Sequence, residues 1–350
     1  MKQRGITFIG IVLMTVYYFL FPRHTGQEPV LKPVSFTDLA AGSTVEMSGG
    51  EALIPVHVRN RAAYFDENFH LVSSRQAPGL SAERDWMAVP EPDSVSVFDV
   101  QGRLRFRIKS TAMPVVRDGH LYLLDNSSGR IEMCSPENGA GIWHRDSLSP
   151  LTSLDSAAGR TLLGFLDGHA ELISPDGKVE MTYRPGGSRV EAVYGAALSD
   201  DAAAIALISG LDPQRFILLE EKKNGFRPVS HHETGTDFRR SVPVGFVSGG
   251  NRILYEAAEG TAAVERDGYS LQHLTVAGTA AAQWDFSSES GYLALLGGDA
   301  EDLSLRILTP RDLTFCNSRV LPDTRDVLFH KNYLILAGDR YFSVIALEKH

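Results

Sequence analysis

The stretch PVVRDGHLYLLDNSSGRIEMCSPENGAGIWHRDS, residues 114–147, decides the fold. Four short runs follow one another in it, PVVRDG, HLYLLD, RIEMCSPENG and GIWHRDS, rich in Val, Ile, Leu and aromatic residues and punctuated by Gly, Asp and Asn. Runs of this length broken by turn residues read as β-strands, and the glycine that closes a hairpin is wanted for its positive φ. No helical periodicity runs through the stretch.

The same unit recurs along the chain. Its strongest run is matched by ALIPVHV from Ala52, WMAVPE from Trp86, RTLLGFL from Arg160, AAAIALI from Ala202, RILYEAA from Arg252, YLALLGG from Tyr292 and YLILAGD from Tyr333, a spacing of about 40 residues. The run before it recurs as LTSLDSA (Leu151), PVGFVSGG (Pro243) and AQWDFSSES (Ala282), and the two after it as HAELISPDG with KVEMTYRP and TAAVERDG with YSLQHLTV. Four strands per forty residues describe a β-propeller blade, and the chain offers too many strands for a sandwich. Units start near Ser43, Leu80, Pro114, Leu151, Val193, Pro243, Ala282 and Asp326, so eight blades are expected. Seven is the alternative, because the second unit is short and Pro90 and Pro92 interrupt it. The eighth unit holds only three strands. An N-terminal strand within Val30–Leu39 is expected to complete it and close the ring, since a propeller left open exposes an edge.

Composition agrees with a folded chain: 43% of the 350 residues are hydrophobic and 22% charged, which excludes disorder. The formal net charge is −9, and over residues 24–350 the count is 31 basic against 43 acidic, which argues against nucleic acid as a partner. The uncharged stretch 5–22, GITFIGIVLMTVYYFLFP, is flanked by Lys2, Arg4 and Arg23. Its C-terminal end is filled by Tyr17, Tyr18, Phe19 and Phe21 rather than the small residues of a cleavage site, so residues 1–23 read as an uncleaved single-pass transmembrane helix in contact with the lipid bilayer. The basic end places the N-terminus in the cytoplasm and the propeller outside it, in the periplasm if the source is bacterial. Residues 24–40 then form a linker with the ring-closing strand, and residues 41–350 the propeller.

Two resemblances can be set on these residues. AQWDFSSESGYLALLGG (Ala282–Gly298) and YGAALSDDAAAIALISG (Tyr194–Gly210) resemble the inner hairpin of WD40-like propellers. RIEMCSPENGAGIW (Arg130–Trp143) resembles a PQQ-type blade, whose hairpin turn is followed by a docking Trp. Phe106 and Tyr183 stand near that position in other units, and the Gly-His and Trp-Asp signatures of true WD40 repeats are missing. The architecture is also similar to that of the eight-bladed scaffold used in outer-membrane protein assembly. That scaffold is lipid-anchored, whereas no cysteine precedes Cys134 here.

No residue cluster asks for chemistry. PQQ-dependent dehydrogenases resemble this fold and many of them use adjacent cysteines at the cofactor, but Cys134 and Cys316 lie in different units and read as packed free thiols. The strings Asp118-Gly119-His120 and Asp167-Gly168-His169 read as turns, and no nucleotide, nucleophile or metal motif occurs. The expectation is therefore no catalytic site, no cofactor and no metal. Residues 230–242, SHHETGTDFRRSV, are surplus to the forty-residue spacing and join one blade to the next. His231, His232, Asp237, Phe238, Arg239 and Arg240 there are the candidate contacts for a protein partner, since arginine beside an aromatic is common in interface anchors. A central-channel site for a small ligand or glycan is the alternative, and it requires convergent polar groups from the inner strands, such as Arg117, Asp155 and Asp285.

Overall fold

The computed structural model describes residues 29–39, 53–58, 60–258, 260–275, 280–298, 302–309 and 315–348. The apolar stretch 5–22, most of the linker after it and the expected unit start at Ser43 lie outside them. Among the described residues there is no helix, and so none long and apolar enough to cross a membrane.

Eight antiparallel sheets make eight blades. In blade 3 the strands Met113–Arg117, His120–Asp125, Arg130–Cys134 and Gly141–Asp146 follow each other outward in chain order. The first strands of successive blades touch one another around the centre, as Leu151–Ala157 touches Val190–Leu198 and Ala280–Phe286 touches Thr324–His330. Turns between first and second strands, and between third and fourth, fall on one face of the disc, called here the turn face. Turns between second and third strands share the opposite loop face with the connections between blades.

Why the strongest runs are apolar without interruption follows from where their side chains go. In HLYLLD, Leu121 and Leu123 pack into the core between blades 2 and 3, while Tyr122 packs into the core between blades 3 and 4. A second strand is thus buried on both sides, and the alternation of a half-exposed strand disappears. Among the described residues eight hydrophobic clusters occur in this way, one at each junction between neighbouring blades. The docking position is filled as the PQQ resemblance implies. Trp143 on the outer strand of blade 3 is buried beneath the Asp176–Gly177 turn of blade 4, where a Cβ on Gly177 would lie 2.6 Å from the Trp143 Cβ. Phe106 meets Gly139 of the next blade similarly, at 2.9 Å.

The ring closes through Val30–Asp38, which pairs antiparallel with Tyr341–Glu348 from Val30 opposite Glu348 to Asp38 opposite Tyr341. A bulge falls between Pro33 and Ser35, and Pro33, which has no amide to donate, sits on this outermost strand where none is needed. Phe65 of blade 1 meets Phe342 of blade 8 edge-on at 5.2 Å and seals the junction.

Blade 1 departs from the sequence reading. ALIPVHV was aligned with the second strands, but Ile54–Val58 is the inner strand, and the second strand is Arg61–Phe65. The alanine-rich RAAYF has too little apolar weight to stand out in the sequence. Blade 1 is three-stranded among the described residues, ending at Leu71–Gln76, and Ala77–Leu80 leads straight into blade 2.

Candidate functional site

Residues 230–242 divide between strand and loop. Ser230–Glu233 extends the outer strand of blade 5 (Gly225–Glu233), and the connection proper begins at Thr234. It is wound around one buried side chain. Gln214 donates through Nε2 to the Phe238 carbonyl at 3.0 Å, and its Oε1 accepts from Thr236 Oγ1 at 2.7 Å and from the Phe238 amide at 3.3 Å. A loop with its backbone fixed to a core residue has little freedom to rearrange.

The six candidate residues therefore separate by role. His232 stacks on Phe216 with ring centroids 5.0 Å apart and bonds the Tyr255 hydroxyl at 2.8 Å; burial brings its pKa down to about 4, so the ring is neutral. Phe238 packs against the core between blades 5 and 6. Arg240 forks both carboxylate oxygens of Glu256 at 2.7 Å, lies over the Phe238 ring at 4.6 Å, and so neutralises a carboxylate only 3% exposed. These three hold the loop in place. His231, joined to Arg215 at 2.9 Å, and Asp237 and Arg239 are exposed and free to meet another molecule.

Sequence reasoning missed the rest of this face. Leu148 is fully exposed (109%), Leu166 is 46% and Val190 is 42% exposed. Leu148 lies in the connection between blades 3 and 4, Leu166 in the second turn of blade 4, and Val190 at the start of blade 5. Short bonds hold these segments side by side. The Leu166 amide donates to the Pro150 carbonyl and the Asp167 amide to Ser149 Oγ, each at 3.0 Å. Arg184 then bridges Asp167 at 3.4 Å and Glu191 at 3.0 Å, and Arg189 reaches Asp212 at 3.3 Å, beside Gln214 and its loop. The outcome is an unbroken strip of the loop face across blades 3 to 6, apolar at one end and edged by charges. The Asp167-Gly168-His169 string is the turn within it, with Gly168 at φ +89°, and His169 bonds Asp167 at 2.5 Å.

The channel is polar. Arg117 pairs with Asp155 across blades 3 and 4 at 3.1 Å. Asp155 accepts from the Leu198 amide of the next inner strand at 2.8 Å, and Asp285 accepts from the Phe329 amide at 2.5 Å, so both clasp neighbouring blades together. Burial pushes both carboxyls above the ordinary range, Arg117 partly offsetting this at Asp155. The Asp118-Gly119 turn works in the same way: both residues have positive φ, and the Glu83 carboxylate of blade 2 accepts from both amides at 2.8 Å. Asp326 on the inner strand of blade 8 escaped the sequence reading. Among the described residues it accepts from the adjacent Val327 amide at 2.8 Å, and burial, with Asp285 nearby, pushes it up to about 7. Cys134 is buried and free, its thiol pushed up to about 12 by burial, which leaves it unreactive at neutral pH. Cys316 lies in another blade, on the outer strand Phe315–Pro322. Among the described residues no three His, Cys, Asp or Glu side chains could together hold a metal ion.

Comparison with known proteins agrees with this architecture. BamB from Moraxella catarrhalis superposes with a TM-score of 0.62 at 15% identity, over 91% of this chain and 100% of that one. The beta-propeller domain of Cps50 (Swd1) from Myceliophteria thermophila gives 0.52 at 10% identity, over 75% and 93%. At such identities the likeness is one of fold alone. An uncharacterized protein of Treponema pallidum (strain Nichols) is 26% identical over 276 residues, covering 75% of this chain and 73% of the relative. A family described as "beta-propeller protein" matches residues 1–349, and this chain, matched over almost its whole length, belongs to it.

Proposed function

We propose that this protein is a membrane-anchored, extracytoplasmic scaffold that binds a protein partner through the loop face of blades 3 to 6 and serves in envelope assembly. One observation carries the reading: Leu148, Leu166 and Val190 are exposed together on a strip whose backbone is fixed by hydrogen bonds and whose edge carries Asp237 and Arg239. An exposed apolar patch bordered by charged groups on rigid loops is common anatomy for a protein interface. The fold likeness to BamB supports the envelope setting.

The direction of the closing strand supports the placement. Val30 pairs with Glu348 at the end of the third strand of blade 8, so the chain leaves the ring from the turn face. With residues 5–22 in the bilayer and the N-terminus in the cytoplasm, the turn face looks toward the membrane and the loop face away from it.

Photo-crosslinking residues incorporated at Leu148, Leu166 and Arg239 of the full-length chain in native membranes test the reading. One partner should be captured from all three positions, and none from Leu104 at the turn-face end of an outer strand. Capture from Leu104 alone, or equally from every position, refutes it.

A further inference from the structure

We infer that the cavity between blades 1, 2, 3 and 8 is a binding site for a small organic cation, an amine or guanidinium carried on an aliphatic stem. The inference goes beyond the scaffold reading, since the strip over blades 3 to 6 contributes none of the lining.

The cavity originates in one short strand. The inner strand of blade 2 is Ser81–Ala82, two residues, where the other blades have between four and nine. The channel wall recedes there and leaves about 650 Å3 lined in part by Val56, Trp86 and Leu328, a volume suited to a small ligand.

Its charge has one predominant sign. Glu83, Asp85, Asp118 and Asp326 face it against Arg84 and His57. Two of the carboxylates are already engaged, Glu83 with the Asp118 and Gly119 amides and Asp118 with the Gly159 amide at 3.3 Å. Asp85 is exposed at the rim. Asp326 is partly buried, and among the described residues no cation pairs with it. A carboxylate removed from water without a counter-ion is costly to keep ionised, and a cation entering the cavity recovers that cost. No three metal-ligating side chains converge among the described residues, so an organic cation suits the site, its stem along the Trp86, Val56 and Leu328 wall.

The groups that face Asp326 fix how binding responds to pH. Asp285 from blade 7 acts on Asp326 directly, and His57 from blade 1, Glu83, Arg84 and Asp85 from blade 2, and Asp118 from blade 3 line the same cavity. With Asp326 titrating at about 7, its ionised fraction rises from about 0.1 at pH 6 to about 0.9 at pH 8, so affinity for a cation rises about tenfold. The variant Asp326→Asn tests whether this carboxyl sets the dependence.

Calorimetric titration of the full-length chain uses two probes, agmatine as a free amine and N-acetyl-lysine methylamide as a protein side chain. Saturable binding of either is expected, about tenfold tighter at pH 8 than at pH 6. Agmatine binding better identifies a free amine as the source, and the lysine derivative binding better identifies a partner's side chain. In Asp326→Asn the pH dependence should disappear, and Asp85→Asn, at the exposed rim, should weaken binding. Absence of saturable binding by both probes at millimolar concentration, equal affinity at the two pH values, or an unchanged pH dependence in Asp326→Asn overturns the assignment.

Discussion

Asp326→Asn should make the protein more stable, and increasingly so as pH rises. The carboxyl titrates near 3.8 when the chain is unfolded and at about 7 in the ring, where burial and Asp285 disfavour the charge. A group whose folded pKa lies above its unfolded value stabilises the fold fully only below the unfolded value, and that contribution disappears as pH rises through the folded one. The gap corresponds to about 4 kcal/mol, of which less than half has been lost by pH 5 and most of the rest is lost between pH 5 and pH 8. Asparagine retains an oxygen for the Val327 amide, bonded at 2.8 Å in the native ring, and cannot ionise. Urea unfolding of both proteins, followed through the fluorescence of Trp86, Trp143 and Trp284, gives the difference directly. The advantage of the variant should be small at pH 4, clear at pH 5 and about 2 to 3 kcal/mol greater at pH 8 than at pH 5. A constant advantage across this range, or a variant less stable at pH 8, refutes the assignment of an uncompensated carboxylate at the channel wall.

Arg240→Ala should cost about 3 kcal/mol, because it leaves Glu256 buried and unpaired, while Arg239→Ala should lie within about 0.5 kcal/mol of wild type by the same unfolding assay. Trp143→Ala should cost about 3–5 kcal/mol by emptying the junction of blades 3 and 4, and Gly177→Ala should also destabilise through its contact with the Trp143 Cβ and its φ of +83°, both read as lowered melting temperatures. Removing Val30–Asp38 should leave Tyr341–Glu348 as an open edge, lowering the melting temperature sharply and promoting aggregation detectable by light scattering. Leu148→Glu should leave the melting temperature unchanged while abolishing capture of the partner.

The repeat was legible because a blade is assembled almost entirely from neighbours in sequence. Four strands joined by short turns bury a continuous apolar run on both sides, and that run is visible in any single unit, as HLYLLD and RTLLGFL are. Where blade 1 breaks the pattern, the alanines of RAAYF carry too little apolar weight, and reading Ile54–Val58 as a second strand was the natural error. The site is different in kind. Glu83 meets the Asp118 amide across 35 residues, and Asp326 faces a cavity that exists because Ser81–Ala82 stops after two residues. Nothing in the spacing of acidic residues marks such meetings, since carboxylates at strand ends and turns occur in every unit. The surplus length of residues 230–242 did mark an irregular connection, but residue type alone could not divide it. Phe238 and Arg240 resemble interface anchors in sequence, yet the core between blades 5 and 6 and the Glu256 carboxylate already occupy them, and only His231, Asp237 and Arg239 remain for a partner. An arginine's role is set by the carboxylate it faces, and which carboxylate that is depends on the ring having closed.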